Sequence, residues 1–324
     1  MNDDGTFEKL AGARARIAEQ LSKVVVGQSE VVEQVLTALI AGGNCLITGA
    51  PGLAKTLLVK TLADIFSLRF QRIQFTPDLM PSDITGMEIL SESDGVRSMK
   101  FVEGPVFAQM LLADEINRTP PKTQAALLEA MQERQVTVAG KRNELPRPFF
   151  VLATQNPLEM EGTYVLPEAQ LDRFMFNVVM DYLPEADEVE VIRRTTSSQR
   201  AEVEAVFNAE DVLAFQKVVR DVPVAEGIIR DAVKLSAASR PNREGSKDWV
   251  NRWVGWGAGT RAAQYLVLGG KVRALWDGRP FVTREDILAM ALPVLRHRVV
   301  VNYKADADGV TSADVVARLV EELF

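Results

Sequence analysis

Cysteine and histidine are almost missing from this sequence, with one of each in 324 residues. A single thiol cannot close a disulfide within the chain, and Cys45 sits in an apolar run, so it reads as a buried thiol in a reducing compartment. A single histidine, His297, excludes a metal centre built from several imidazoles and reads as a helix-end residue. No run approaches the roughly 20 apolar residues that a bilayer demands. The start, MNDDGTFEKL, is acidic and has no apolar signal core, so the expectation is a cytoplasmic chain without a membrane segment. Positive charge is also in deficit: 37 Lys and Arg against 44 Asp and Glu leave a formal charge of -7. That balance argues against a nucleic-acid partner, although a local groove can still be positive. Low-complexity tracts and solenoid-period repeats are absent, and 47% hydrophobic with 25% charged residues is a globular composition.

The chain exceeds the roughly 100 to 200 residues of one domain, so two units are expected. Phe7, Leu10, Ile17 and Leu21 recur at near-helical spacing, and a second amphipathic run from Ser29 stops at Gly42-Gly43. Asn44 to Thr48 reads as a short buried strand that enters a glycine-rich turn and then a helix from about Thr56 to Phe66. Further strands are predicted at Phe70 to Phe75, Met110 to Ala113, Phe149 to Ala153 and Phe174 to Met180, with helical segments such as Lys122 to Gln132 between them. Strands alternating with helices imply an α/β unit whose parallel sheet is covered on both faces. Two stretches break the alternation as hairpins. One pairs Met87 to Leu90 with Val96 to Phe101 across Asp94-Gly95, and the other follows Gln135 to Ala139 through a Gly140 turn. Beyond Pro184 the pattern is helical, near 186 to 196, 208 to 220, 224 to 239, 260 to 277, 283 to 295 and 311 to 323, with Thr283 to Asp286 as a capping box. The expected domains are 1–183, αβα, and 184–324, smaller and all-helical.

The turn after the first strand is Gly49-Ala50-Pro51-Gly52-Leu53-Ala54-Lys55-Thr56-Leu57. A strand, a glycine-rich loop and a helix in succession are the context of a P-loop, in which backbone N–H groups and the helix N-terminus cradle phosphates. Lys55 can then neutralise β and γ oxygens, and the Thr56 hydroxyl can ligate Mg²⁺. Ala54 stands where the pattern has a second glycine, and as the smallest substitute with a helix-compatible φ it is expected to be tolerated. Met110-Leu-Leu-Ala-Asp114-Glu115 is an apolar strand ending in paired carboxylates, 59 residues beyond Lys55 (114 minus 55). There Asp114 would hold Mg²⁺ through water, and Glu115 would orient and deprotonate an attacking water. Asn156, at the end of the next strand in Ala-Thr-Gln-Asn-Pro, is placed to meet the γ-phosphate or that water; a turn asparagine before proline is its plainer reading.

GAPGLAKT, LLADEINR, ATQNPLEMEGTYVLPEAQLDRF and GAGTRA, in that order, resemble AAA+ ATPases and among them the MoxR family. The resemblance implies a P-loop AAA+ αβα core and a helical lid. It also implies ATP with Mg²⁺ as the ligand pair, hydrolysis to ADP and phosphate, and a homo-oligomeric ring, usually hexameric, with ATP between subunits. It makes Asn156 the sensor-1 residue, Arg173 of LDRF the arginine finger and Arg261 of GTRAA the sensor-2 arginine, while Gly27 and Gln28 of VVGQ resemble the adenine-side motif. The hairpins resemble the insertions of the helix-2-insert branch. Arg118 is the rival for the finger role. Arg261 falls in the first turn of a predicted helix, where the macrodipole disfavours a cation, so an anionic partner such as phosphate is expected, with the lid folded over the nucleotide. The resemblance also implies chaperone-like remodelling or maturation of partner proteins, since MoxR-like proteins are associated with partners carrying von Willebrand A domains and with metal-cofactor insertion. This chain has no D-x-S-x-S motif, so that partner would be a separate protein.

Two alternatives remain within the superfamily, a metal-chelatase subunit and a nucleic-acid motor with Lys141, Arg142 and Arg147 as its footprint. Asp306-x-Asp308-Gly309 resembles part of a calcium loop, but Lys304 and Val315 occupy the first and last ligand positions. Trp249, Trp253 and Trp256 lie close together and are expected to pack onto the lid rather than dock a partner. Gln74, at a strand end, could couple the state of a ring to Glu115, although a polar strand residue is the plainer reading.

Overall fold

The computed structural model describes residues 4–93, 96–156, 162–197 and 201–324. In chain order its elements begin with α1 (Asp4–Ser22), α2 (Ser29–Ala41), β1 (Cys45–Gly49), α3 (Lys55–Ile65), β2 (Phe70–Gln74), α4 (Pro81–Thr85), β3 (Gly86–Ser93), β4 (Val96–Glu103) and β5 (Met110–Asp114). They continue with α5 (Pro121–Glu133), β6 (Gln135–Val138), β7 (Lys141–Glu144), β8 (Phe150–Gln155), α6 (Glu168–Leu171) and β9 (Phe176–Met180). The remainder comprises α7 (Glu185–Thr195), α8 (Ala209–Asp221), α9 (Glu226–Ala238), α10 (Asp248–Trp253), β10 (Val254–Trp256), α11 (Thr260–Trp276), α12 (Arg284–Ala289), α13 (Ala291–Leu295), β11 (Val300–Val301), α14 (Tyr303–Ala307) and α15 (Ser312–Leu323).

Five strands make one parallel sheet in the order β2-β5-β8-β1-β9. Its strands are nearly continuous apolar runs because both faces are covered. Alternate residues of each strand enter different cores: Cys45, Ile47, Met110, Leu112, Phe150 and Leu152 face one cluster, and Leu46, Leu111, Ala113, Val151 and Ala153 face the other. The second cluster is closed by α5 and by Phe75, Ile84, Val106 and Phe174. The first continues without interruption through α1, α2 and α3 into α8, α9, α11, α13 and α15. The helical region after Pro184 therefore packs along one face of the sheet through the same core.

The hairpins are β3–β4 and β6–β7, each a separate two-stranded sheet. The turn at Ala139-Gly140 has φ of 49° and 79°, the left-handed pair that matches strand twist, whereas Asp94-Gly95 lies outside the described residues. Thr283 caps α12 in a reciprocal box with Asp286, as its spacing predicts. The apolar run from 283 to 295 divides at Met290 into α12 and α13, and a short ribbon of β10 with β11 sits within the helical region. No helix among the described residues is long and apolar enough to cross a membrane.

Candidate functional site: a P-loop cleft and an arginine cavity at opposite ends of one sheet

A parallel sheet presents all its strand ends in the same sense, so loops leaving β1, β5 and β8 meet at one edge. They bound a cleft of about 440 Å³ lined by Pro51 to Leu57 with Arg72, Asp114, Glu115, Thr154 and Asn156. Gly49 is needed for packing, since a Cβ there would lie 2.4 Å from the Met180 carbonyl of β9. Gly52 turns the loop at φ 83°, and Ala54 caps α3 in the left-handed region at φ 59°. This differs from the helical φ expected for Ala54: the loop must reverse before α3 begins, and an alanine there is strained by roughly 1–2 kcal/mol. Lys55 is half-buried and its Nζ donates to the Gly49 carbonyl at 2.5 Å. Burial pushes its pKa down, against the upward pull of Asp114 and Glu115 across the cleft.

One hydroxyl organises the acidic pair. Thr154 Oγ1 donates to Asp114 Oδ1 at 2.6 Å and accepts the backbone N–H of Glu115 at 2.9 Å, which holds Glu115 in a left-handed conformation at φ 57°. Arg72 binds the other Asp114 oxygen, Oδ2, with Nη2 at 2.6 Å and Nε at 3.1 Å, while Gln74 Nε2 donates to Glu115 Oε2 at 2.6 Å. Arg118 also reaches Glu115, at 3.3 Å. Gln74 is thus a partner of Glu115 rather than an ordinary strand residue. Its signal in the sequence is weak but real: Arg72 and Gln74 share one face of β2 by the two-residue period, and the register sets Gln74 beside Asp114. Thr154 and Arg72 carry no motif of their own, and only the neighbouring strands reveal them.

Thr56 and Asn156 also line the cleft, Asn156 being buried. Residues 157–161, which include most of LEMEG, lie outside the described residues. Gly27 and Gln28 stand at the C-terminal end of β9, where Gln28 Nε2 donates to the Asp181 carbonyl at 2.8 Å.

Arg173 and Arg261 are not in this cleft. Both line a second cavity, of about 790 Å³, beside Gly43, Asn44 and Phe149, at the N-terminal ends of β1 and β8. Five-residue strands put roughly 16 Å of sheet between the two ends. The expected reach of Arg261 to the phosphates of its own cleft therefore does not form, although the helical region does border that end of the sheet: Leu292 of α13 and Arg296 just after it line a pocket of about 430 Å³ with Gln28, Asp181 and Leu183. The helical region is committed to the sheet face, and that packing carries Arg261 away from Lys55. The anionic partner demanded by its place at the start of α11 is a carboxylate of this chain: Arg261 Nη1 donates to Asp172 Oδ2 at 2.7 Å.

Asp172 Oδ1 accepts from Arg298 Nε at 2.8 Å, and Arg298, buried and unnoticed in the sequence, also donates to the carbonyls of Asp172, Phe174, Met175 and Val294. Burial lowers the Arg298 pKa, opposed by Asp172. His297 beside it follows the end of α13, as expected of a helix-end residue, and is also buried, so that desolvation followed by the Arg298 charge depresses its pKa. Asp172→Asn should lower stability by about 3 kcal/mol, because it leaves a buried guanidinium without its counter-charge. An unchanged urea midpoint would show that the carbonyls alone satisfy Arg298.

Trp249 and Trp253 pack on α15, their N–H groups on Glu322 and Asp308 and Arg318 over both rings; Trp256 is exposed. Asp308 is engaged by Arg252 as well as Trp253, which disposes further of a calcium loop. Lys141 pairs with Glu88 of β3, so part of the suspected nucleic-acid footprint is neutralised within the chain.

A P-loop at the C-terminal edge of a five-stranded parallel sheet, followed by a helical lid, is the architecture of AAA+ proteins. Residues 44–176 match the family described as "ATPase family associated with various cellular activities (AAA)", and residues 248–319 match the AAA lid domain. The chain is 40% identical over 303 residues to chaperone MoxR1 of Mycobacterium tuberculosis, which spans 93% of this chain and 79% of that one. It is 32% identical over 304 residues to protein MoxR of Methylorubrum extorquens, spanning 89% and 87%. A crystal structure of a candidate ATPase from Cytophaga hutchinsonii aligns with TM-score 0.92 at 39% identity, over 99% of this chain and 97% of that chain. This chain belongs to the MoxR family of AAA+ ATPases.

Proposed function

We propose that the protein hydrolyses ATP to ADP and phosphate in a closed homo-oligomeric ring, most simply a hexamer, and uses the cycle to remodel or mature a separate partner protein. The observation that carries the ring is the placement of the arginines. A phosphate cradle at one end of the sheet and the cationic cavity at the other cannot meet within one chain, whereas head-to-tail packing brings each cleft against its neighbour's cavity and closes when the rotation closes. In that arrangement Arg173 and Arg261 act on the γ-phosphate of the adjacent subunit. Arg118, already engaged with Glu115 beside its own cleft, is the weaker finger.

The cleft fits ATP with a hard divalent cation. The first turn of α3 has no acidic residue and offers its N–H groups to phosphate, and Gly52 leaves open space at its Cβ. Hydroxyl and carboxylate oxygens of Thr56 and Asp114 suit Mg²⁺, which would neutralise β- and γ-phosphate charge. Arg72 holds the Asp114 charge otherwise. Glu115 takes the proton of the attacking water once Gln74 and Arg118 release it, and Asn156 orients that water. Gly27 and Gln28 would flank the adenine.

Because each site borrows residues from a neighbour, ATP turnover per chain should rise steeply with protein concentration in the range where rings assemble, followed by light scattering. Full turnover by a monomeric species would exclude shared sites. The partner function is supported by the relative described as a chaperone. A partner chain carrying a von Willebrand A domain should stay bound to Glu115→Gln rings held in ATP and be released by the parent.

A further inference from the structure

Arg134 occupies a position where arginine is a poor structural choice. It ends α5 in the left-handed region, φ 53° and ψ 30°, where glycine or asparagine is the relaxed residue. Its side chain makes no hydrogen bond or ion pair among the described residues, so local structure gives no reason for the strain. Yet it lines the cavity that holds Arg173 and Arg261. That wall carries Arg134, Arg173, Arg220, Arg261 and Lys271 and no aspartate or glutamate, in a chain whose acids outnumber its bases by seven. Asp172, just behind it, offsets Arg261 but is shared with Arg298. Five cations from the core and the lid around one void, with no carboxylate on its surface, make a seat for a polyanion.

We propose that Arg134 is a third arginine delivered in trans to the triphosphate of the neighbouring subunit's ATP, alongside Arg173 and Arg261. The inference rests on the ring reading above. Arg134 comes from the core, at the junction of α5 with β6, whereas Arg261 comes from the lid, so the two approach the phosphates from different sides. Its carbonyl accepts from Leu145 N–H at 3.0 Å just past the β6–β7 hairpin, and that hairpin is tied to β3 through Lys141 and Glu88. Contact with the neighbour's phosphates at Arg134 therefore reaches both hairpins directly.

The decisive variant is Arg134→Gly, which relaxes the backbone while removing the charge. Turnover should fall on the order of 10²-fold, the loss typical of one donor aimed at developing charge. Thermal stability should be equal or higher, ATP affinity of the intact P-loop should be retained, and Arg134→Lys should recover part of the rate. Mixed with Lys55→Ala chains, Arg134→Gly sites should regain activity by borrowing the neighbour's Arg134. Parental turnover by Arg134→Gly, with Arg173→Ala inactive, would overturn the assignment and leave the ring reading intact. Full activity of Arg134→Gly, Arg173→Ala and Arg261→Ala alike would sink the ring reading itself. Loss without recovery in mixed rings that demonstrably form would place the effect within the subunit and reject the proposal. Nucleotide binding by Lys55→Ala that disappears with Arg134→Gly would reject it too, since the cavity would then take free nucleotide.

Discussion

Glu115→Gln should keep ATP bound and lower turnover by about 10²- to 10⁴-fold, the range contributed by a positioned base. The substitution is nearly isosteric, and the amide keeps an oxygen to accept from Gln74. What it loses structurally is a partly exposed ion pair with Arg118, worth about 1 kcal/mol. The catalytic loss is then separable from any loss of fold. Lys55→Ala should behave in the opposite way. It removes the ammonium that spans the loop to Gly49 and, with it, one charge-assisted contact to phosphate, so ATP affinity should drop roughly 10- to 100-fold before chemistry is considered. Equilibrium binding of a fluorescent ATP analogue and phosphate release, measured on both variants, read the two effects independently. Equal turnover by Glu115→Gln and the parent would remove Glu115 as the base.

Arg173→Ala should lose on the order of 10³- to 10⁵-fold in turnover, because an arginine delivered in trans stabilises the charge that spreads over the γ-phosphate oxygens. Its own fold should survive: the Arg173 side chain has no hydrogen bond or ion pair among the described residues, and the neighbouring strut from Asp172 to Arg298 is untouched. Arg173→Ala and Lys55→Ala are each inactive for different reasons, one lacking what it lends and the other lacking what it holds. When the two are mixed under conditions of subunit exchange, an Arg173→Ala cleft lies beside the intact arginine of a Lys55→Ala neighbour, and partial activity should return. Mixed rings that form yet stay inactive, while mixing Arg118→Ala with Lys55→Ala restores turnover, would transfer the role to Arg118. Asp172→Asn is a useful control in the same assay, since it releases Arg261 while costing stability.

Much of the fold was legible because its signals are local. The P-loop context, the apolar strands ending at Asp114 and Gln155, the capping box at Thr283 and the stop at Gly42 each depend on a few neighbouring residues, and each element falls within a residue or two of its expected bounds. The short pieces were not legible. Neither α10, α14 nor the β10–β11 ribbon has enough residues to express a period, and the division at Met290 depends on how two turns pack.

The chain's own order of residues therefore singled out the groups proposed to bind and cleave a nucleotide: Lys55, Thr56, Asp114 and Glu115 belong to motifs whose chemistry is carried by residue type and spacing. Only the tertiary structure decided who their companions are. Thr154, Arg72 and Gln74 reach the acidic pair from adjacent strands, through a parallel register that brings together residues about 40 positions apart. It also decided on which side the arginines lie. A helix-start arginine announces only that an anion is near; the shared core beneath α11 directs it to Asp172 and to the far end of the sheet, because burying that apolar face fixes where the start of α11 lies.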